Sequence, residues 1–479
     1  MSDRISRRPG NKVVRKRLNA QSVIELERDD SKVTRSTVTD HAKLFVLAVL
    51  AILVAGSLLL MLPLATEEGR STSVIDALFT TISAFSVTGL SIVDTGLHWS
   101  LFGEVVILIL IQIGGFGFMA GTSLVLIALG RGSSLRADMM MQDGSPTMTL
   151  QEASSVSLRI VKFMAISETI GAVILTLFFM RTESLFTSLW WGIFHSVSAF
   201  CNAGVALQGD VLSLTAQGDS PVFLMTMAGL VQLGALSFMV VADVWKHRTW
   251  KPLTLDSKLV LLTNVVVIAV AFTLFMAVEW NGAMANFSTG MKPVHAMFEA
   301  IASRTSGYSS IDWGEANTSS LFVWIAMMMV GGAAGSTTGG VKLATIAIIV
   351  MAVTSTVRGQ SEPQGFGRRI APMVVFRALS IIALFMSTHF LLSLFLVFTE
   401  DILGSGDISF LALMFEAMSA LATTGLSTGI TSDLSIGSKV VLIIGMFIGR
   451  LGPITLAFAL QNRQKRERFR YAEANIRIG

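Results

Sequence analysis

The chain has 479 residues, of which 52% are hydrophobic and 14% charged, with a formal net charge of +4. Soluble domains carry about 25% charged residues, so the composition is that of a polytopic membrane protein, and no polar stretch beyond the first 41 residues leaves room for a large soluble domain. The single cysteine, Cys201, excludes an intrachain disulfide and argues against a cysteine-built zinc site.

Residues 1–41 form a polar, basic arm without the apolar segment of a secretory leader. Its "RISRRPGNKVVRKR" suits anionic lipid, either as a surface helix or as a loosely attached arm. Apolar runs follow near 42–62, 101–129, 157–180, 221–245, 257–279, 319–357, 375–398 and 436–460. Each is long enough to cross a bilayer as a helix, about 20 residues being required. Within each successive pair lies a shorter, moderately apolar segment, near 73–90, 187–205, 294–308 and 410–426. A helix of about 10–12 residues reaches only half-way through the hydrocarbon core, so these segments are expected to enter and return on the same side.

With both termini cytoplasmic, all but seven of the 36 lysines and arginines fall in 1–43, 130–162, 246–258, 357–377 and 461–479. The exceptions are Arg70, Arg181, Lys292, Arg304 and Lys439, outside, and Lys342 and Arg450, within apolar segments. That bias predicts an even number of crossings with the short segments entering from outside.

The short segments resemble one another: "LFTTISAFSVTGL" (78–90), "IFHSVSAFCNAGV" (193–205), "MFEAIASRTSGY" (297–308, one residue shorter) and "MFEAMSALATTGL" (414–426). Each ends at a glycine, Gly89, Gly204, Gly307 and Gly425, at intervals of a little over a hundred residues. The period predicts an all-α membrane protein of four helix–half-helix–helix repeats in a pseudo-fourfold arrangement. Its parts are a basic cytoplasmic arm 1–41, repeats 42–130, 131–246, 247–358 and 359–460, and a cytoplasmic tail 461–479.

Non-helical backbone at membrane depth is tolerated where it lines a water-filled path. A dehydrated monovalent cation needs oxygens in place of its hydration shell, and backbone carbonyls supply them without full charges. Glycine permits the backbone angles that turn such carbonyls inward, and half-helix C-termini favour a cation. The candidate donors are Val87, Thr88 and Gly89; Asn202, Ala203 and Gly204; Thr305, Ser306 and Gly307; and Thr423, Thr424 and Gly425. Close helix packing through small residues is the structural alternative.

These segments, with "GGAAGSTTGGVK" (331–342) and "GRLGP" (449–453), resemble the Trk/Ktr/HKT superfamily of potassium transporters over about 42–460. Within it the chain is similar to the bacterial Ktr membrane subunits, since residues 1–41 leave no room for the extra helix pair of the Trk subunits. The resemblance implies four M1–P–M2 units around a pore in a bacterial inner membrane. Serine at the first filter glycine goes with sodium selectivity in the plant branch, so Gly89 implies potassium, with sodium a second ion. Val205 departs from the bulky aromatic that often follows the second glycine.

The glycine-rich interruption comprises Gly331, Gly332, Gly335, Ser336, Thr337, Thr338, Gly339 and Gly340, followed by Lys342. By resemblance it is a gate below the filter; a static kink is the alternative. Arg450 at mid-membrane is costly unless it meets water or a partner. The resemblance makes it an electrostatic barrier beside the gate, while an ion pair with Glu168 or Glu416 is the structural alternative. Lys342 is expected to tether the loop or to snorkel. Asp76, Glu299 and Glu416 suit half-helix N-termini or support the filter backbone, and Arg304 braces the third loop from behind.

"GLSTG" (425–429) matches a hydrolase pattern, but outside its strand–turn–helix context, and Val341 breaks a Walker A reading of the loop. No catalytic constellation or nucleic-acid partner is indicated. The resemblance further implies a homodimer on a cytosolic ring of RCK-type subunits that bind the nucleotide, with 130–162, 246–258 and 357–377 as docking face. Ile476 and Ile478 either enter the dimer interface or end a free tail. The rival function is an alternating-access cation transporter, kept open by the broken helix.

Overall fold

The structure is a computed structural model that describes residues 33–128, 150–208, 213–215, 218–360, 362–404 and 408–462. The N-terminal arm up to residue 32, residues 130–149 of the expected docking segment 130–162 and the tail from 463 lie outside the described residues. Met1–Ala51 form one compact unit and Ile52–Gly479 a second. Helix α1 (Val33–Leu60) begins in the first unit; the remaining elements belong to the second.

The second unit is helical. Its elements are α2 (Val74–Ser86), α3 (Thr95–His98), α4 (Leu101–Ala128), α5 (Leu150–Phe179), α6 (Leu185–Cys201), α7 (Pro221–Ala235), α8 (Phe238–His247), α9 (Leu255–Glu279), α10 (Lys292–Ala302), α11 (Thr318–Met329), α12 (Leu343–Val357), α13 (Pro372–Leu403), α14 (Phe410–Ala422) and α15 (Ile436–Asn462). A two-residue antiparallel hairpin, β1 (Gln364–Gly365) and β2 (Arg368–Arg369), joins α12 to α13.

Among the described residues, α4, α5, α9 and α13 are long and apolar enough to cross a membrane. Their outer faces carry exposed Ile109, Ile170, Val265 and Phe390, as lipid-facing helices require. The four short helices expected from the repeat are present as α2, α6, α10 and α14, within three residues of the predicted starts. They are capped by local chemistry. Ser73, Ser184 and Ser409 each accept a hydrogen bond from the backbone N–H three residues on, satisfying an orphan donor of the first turn. Helix α10 begins instead with Pro293 in its first turn, where the missing N–H costs nothing. These helices pack inside the long ones: Phe79, Phe194, Phe298 and Phe415, the phenylalanines of the repeated motif, are each 0% exposed.

Two predicted crossings are interrupted. The run 319–357 divides into α11 and α12 around Val330–Lys342, as expected. The run 221–245, read from sequence as one helix, is instead broken: α7 and α8 meet at Leu236–Ser237 and are bent by 95°. Apolar continuity conceals this break, because no Pro and only the single Gly234 stands near it. Its cause is tertiary: carbonyls at the end of α7 bond a neighbouring loop.

Candidate functional site

Helices α2, α6 and α14 end in the same way. Val87, Asn202 and Thr423 adopt left-handed backbone angles (φ 57, 62 and 50°). Each N–H, and that of the following residue, returns to carbonyls of the last helical turn: Thr88 N to Ser83 O (2.9 Å), Ala203 N to Ser198 O (2.8 Å) and Thr424 N to Ser419 O (2.8 Å). This is the Schellman stop usually made with glycine. A β-branched residue there is strained, and such strain persists where surrounding structure over-determines it. Helix α10 ends differently, with right-handed Ser303 as cap and Thr305 at φ 72°, which accounts for the third segment being one residue shorter.

The repeated glycines then come together. All four have positive φ, 88° at Gly89, 67° at Gly204, 76° at Gly307 and 86° at Gly425. A Cβ built on Gly89 would stand 2.3 Å from Ala203 O, and one on Gly204 would stand 2.4 Å from Gly307 Cα. One on Gly307 would meet Thr88 O and Thr424 O at 3.0 and 3.1 Å, and one on Gly425 would meet Thr88 O at 1.9 Å. Segments 87–89, 202–204, 305–307 and 423–425 thus converge, with carbonyls of Thr88, Ala203, Ser306 and Thr424 against the facing glycines.

Side chains behind the loops hold them. Ser83 Oγ donates to Leu90 O (2.7 Å) and accepts from Gly89 N (3.1 Å). Ser198, at the same place in the second repeat, donates to Val205 O (3.0 Å) and accepts from Val205 N (3.1 Å). Tyr308 Oη also donates to Val205 O (2.8 Å), tying the second loop to the third. Glu299 accepts from Ser310 N (2.7 Å), and Glu416 accepts from Thr428 N (3.1 Å) and Ser427 Oγ (2.6 Å). Both carboxylates therefore anchor the chain beyond the glycines, and Ser427 is engaged there rather than exposed as a nucleophile. Asp76 contributes its backbone N–H to the Ser73 cap. Arg304 is buried and donates to Asn264 Oδ1 (2.6 Å) and Gln232 Oε1 (3.0 Å), which ties the third loop to α9 and α7.

Residues after the glycines line an open cavity of about 90 Å³, which Gly89, Gly204, Gly307 and Gly425 all border. Asp94 and Asp312 lie in its wall. Neither belongs to the repeated motif, and the sequence reading did not single them out. Carboxylates at a mouth raise the local concentration of cations.

Residues before the glycines meet the loop Val330–Lys342 on the opposite side. Asn202 Nδ2 donates to Thr337 Oγ1 (2.8 Å), which itself donates to Phe200 O (3.3 Å). A Cβ on Gly339 would strike Thr423 Oγ1 at 2.1 Å and Ala422 O at 2.4 Å. The loop is closed on itself by Gly331 N to Val341 O (2.9 Å) and Leu343 N to Gly332 O (3.0 Å), and by Ser336 Oγ to Ala333 O (2.6 Å). Thr338 Oγ1 accepts from Gly332 N (2.9 Å). Gly335 and Gly340 supply turns at φ 79° and 60°. Every residue from Gly331 to Gly340 except Ala334 is buried.

The two cations within apolar segments, Lys342 and Arg450, both bond this loop. Lys342 Nζ donates to Thr338 O (2.6 Å) and Gly339 O (3.3 Å), a tether rather than a snorkelling side chain. Arg450 is 3% exposed; Nη1 donates to Thr337 O (2.5 Å) and Nη2 to Gly114 O (3.0 Å), with the guanidinium 4.2 Å from the Phe118 ring centroid. Its partners are carbonyls and an aromatic face. Glu168, one of the acids considered for an ion pair, instead accepts from Gln112 Nε2 (3.2 Å).

Residues 17–468 match the TrkH family profile, described as a cation transport protein. The chain belongs to the TrkH family. It is 34% identical over 430 residues to the potassium/sodium uptake protein NtpJ of Enterococcus hirae, covering 88% of this chain and 94% of that one. It is also 34% identical over 452 residues to the Ktr system potassium uptake protein B of Vibrio alginolyticus (91% and 94%). The corresponding Bacillus subtilis protein is 33% identical over 429 residues (89% and 94%). The potassium transporter TrkH from Vibrio parahaemolyticus has the same fold, with TM-score 0.62 at 19% identity, covering 81% of this chain and 79% of that one. As a TrkH-family chain with several apolar helices, the protein is a multi-pass membrane protein.

Proposed function

We propose that this chain is the ion-conducting membrane subunit of a potassium uptake system, built as four M1–P–M2 repeats around a pore. The observation that carries the reading is the convergence of Gly89, Gly204, Gly307 and Gly425, each against the backbone of a neighbouring loop. Four carbonyl-bearing segments around one point replace a cation's hydration shell without binding it so tightly that it cannot leave. The twelve residues of these segments are the filter. Potassium is the principal ion, and the likeness to the potassium/sodium uptake protein NtpJ keeps sodium as a second.

The loop from Gly331 to Gly340, with Lys342 and Arg450, is the gate in this reading. It abuts the inner side of the filter and is buried, and Arg450 adds a positive charge in the cation's way. Names of the relatives refer to a Ktr system, which supports a multi-component assembly: a homodimer on a nucleotide-binding cytosolic ring, in an inner membrane with both termini cytoplasmic.

Two broken helices give the alternating-access reading a specific observation in its favour, since broken helices form midplane sites in such transporters. Here, however, both breaks meet at a single loop. The discriminating experiment is planar-bilayer recording of the purified chain. Discrete unitary currents that grow with potassium concentration are the expected result; flux with fixed ion stoichiometry and no unitary currents would replace the pore with the transporter.

A further inference from the structure

The break between α7 and α8 has two features that the filter and gate do not themselves require. Ser237 is fully buried yet sits at φ 67°, ψ 140°. That region is disfavoured for any residue with a Cβ. The last carbonyls of α7 are also taken by the gate loop: Thr337 N donates to Gly234 O (3.2 Å) and Ala333 N donates to Ala235 O (2.8 Å). In an unbroken helix those same oxygens would accept from Phe238 N and Met239 N, four residues on. With the helix broken, Met239 N is capped by Ser237 Oγ (3.3 Å).

We propose that the Leu236–Ser237 break and the glycine-rich loop form one switch, in which the Gly234 and Ala235 carbonyls either hold the loop shut or continue the α7–α8 helix. This rests on the reading of the loop as gate. The two states are exclusive because they compete for the same two acceptors. The loop-bound state is held further by Val240 of α8, buried in one cluster with Ala333 and Leu343, and by Asp243, which accepts from Thr254 N (3.0 Å). Against it stands the left-handed backbone of Ser237, relieved when residues 234–239 become helical. Space around the shared carbonyls is tight: a Cβ on Gly234 would stand 1.9 Å from Phe200 O and one on Gly332 2.5 Å from Ala235 O. Ser237 is thus a positioning residue for the gate.

Two substitutions at this position separate the switch from a passive kink. Ser237→Gly also loses the hydroxyl that caps Met239, but glycine is tolerated at an N-cap far better than alanine; it removes the cost of positive φ and so, on balance, favours the loop-bound state. Ser237→Ala keeps that cost and removes the hydroxyl that caps Met239. Potassium flux into liposomes holding the full chain is expected to fall about five-fold in the first and to rise about five-fold in the second. Spin labels at Val222→Cys and Trp245→Cys, both exposed positions, report the geometry. A continuous helix separates them by about 35 Å, and Ser237→Ala is expected to enlarge the population at that distance. Flux that moves in the same direction in both variants, or a label separation that is unchanged in Ser237→Ala, overturns the switch. Thr337→Val, measured alongside, tests the gate itself. Raised flux there with inert Ser237 variants removes the switch alone; unaltered flux there removes the gate and the switch with it.

Discussion

Gly425→Ala is expected to lower potassium flux at least ten-fold while leaving the protein folded. At φ 86° an added Cβ stands 1.9 Å from Thr88 O and 2.8 Å from Gly307 Cα. Both obstacles are backbone, so no side-chain rotation relieves the overlap. The left-handed conformation adds about 1–2 kcal/mol once a Cβ is present. Thr88 O, one of the proposed ion ligands, must therefore move. A barrier increase of about 1.4 kcal/mol already gives a ten-fold loss of rate. Radiotracer uptake into proteoliposomes reads the flux, and an unchanged gel-filtration profile shows that the protein is folded. Flux within two-fold of the parent would mean that these loops do not carry the ion.

The second large effect belongs to Arg450→Gln, which is expected to raise flux about ten-fold. Arg450 contributes a positive charge beside the path and two hydrogen bonds, to Thr337 O of the loop and Gly114 O of α4. Two like charges about 4 Å apart repel by roughly 4 kcal/mol at an effective dielectric of 20. A third of that, remaining after screening by water in the path, corresponds to about ten-fold in rate. Glutamine keeps some hydrogen-bonding capacity and removes the charge. Uptake measured without a cytosolic partner isolates the effect to this chain. Flux that is unchanged or lower in a folded variant would make Arg450 a structural clamp.

The parts of this fold legible in the sequence are those fixed by local chemistry. Each short helix has its own cap signal, Ser73, Ser184, Ser409 or Pro293, and each is followed by a glycine that must adopt positive φ. Gly331 to Gly340 announce a break because glycine and small polar residues cannot continue an apolar helix cheaply. The break at Ser237 carries a weaker signal, a single Gly234 three residues before it within an otherwise apolar run. Gly/Ser pairs permit kinks, but what takes the freed carbonyls of Gly234 and Ala235 is a loop roughly a hundred residues further along the chain. Reading 221–245 as one span was therefore the expected error of a local argument.

The same division holds at the site. The twelve residues proposed as a filter follow from the internal repeat, and their four segments lie together in the structure. Asp94 and Asp312 do not recur in the repeat, so nothing in the pattern marks them, although both line the outer cavity. Arg450 stands alone in an apolar run, which signals a need for partners without naming them. Its carbonyl acceptors, Thr337 O and Gly114 O, belong to the backbone and have no residue-type signature. Asn202 meets the loop through Thr337 only because the fold brings both to the same side of the four glycines.

The central claim is that the four glycine segments select potassium. The most direct test is bi-ionic flux of potassium against sodium through the full chain in liposomes, for the parent and for Gly89→Ser. A Cβ there stands 2.3 Å from Ala203 O, so the variant is expected to distort the carbonyl ring and lose most of the parent's preference for potassium. Equal flux of both ions through parent and variant alike would contradict a carbonyl filter at these glycines.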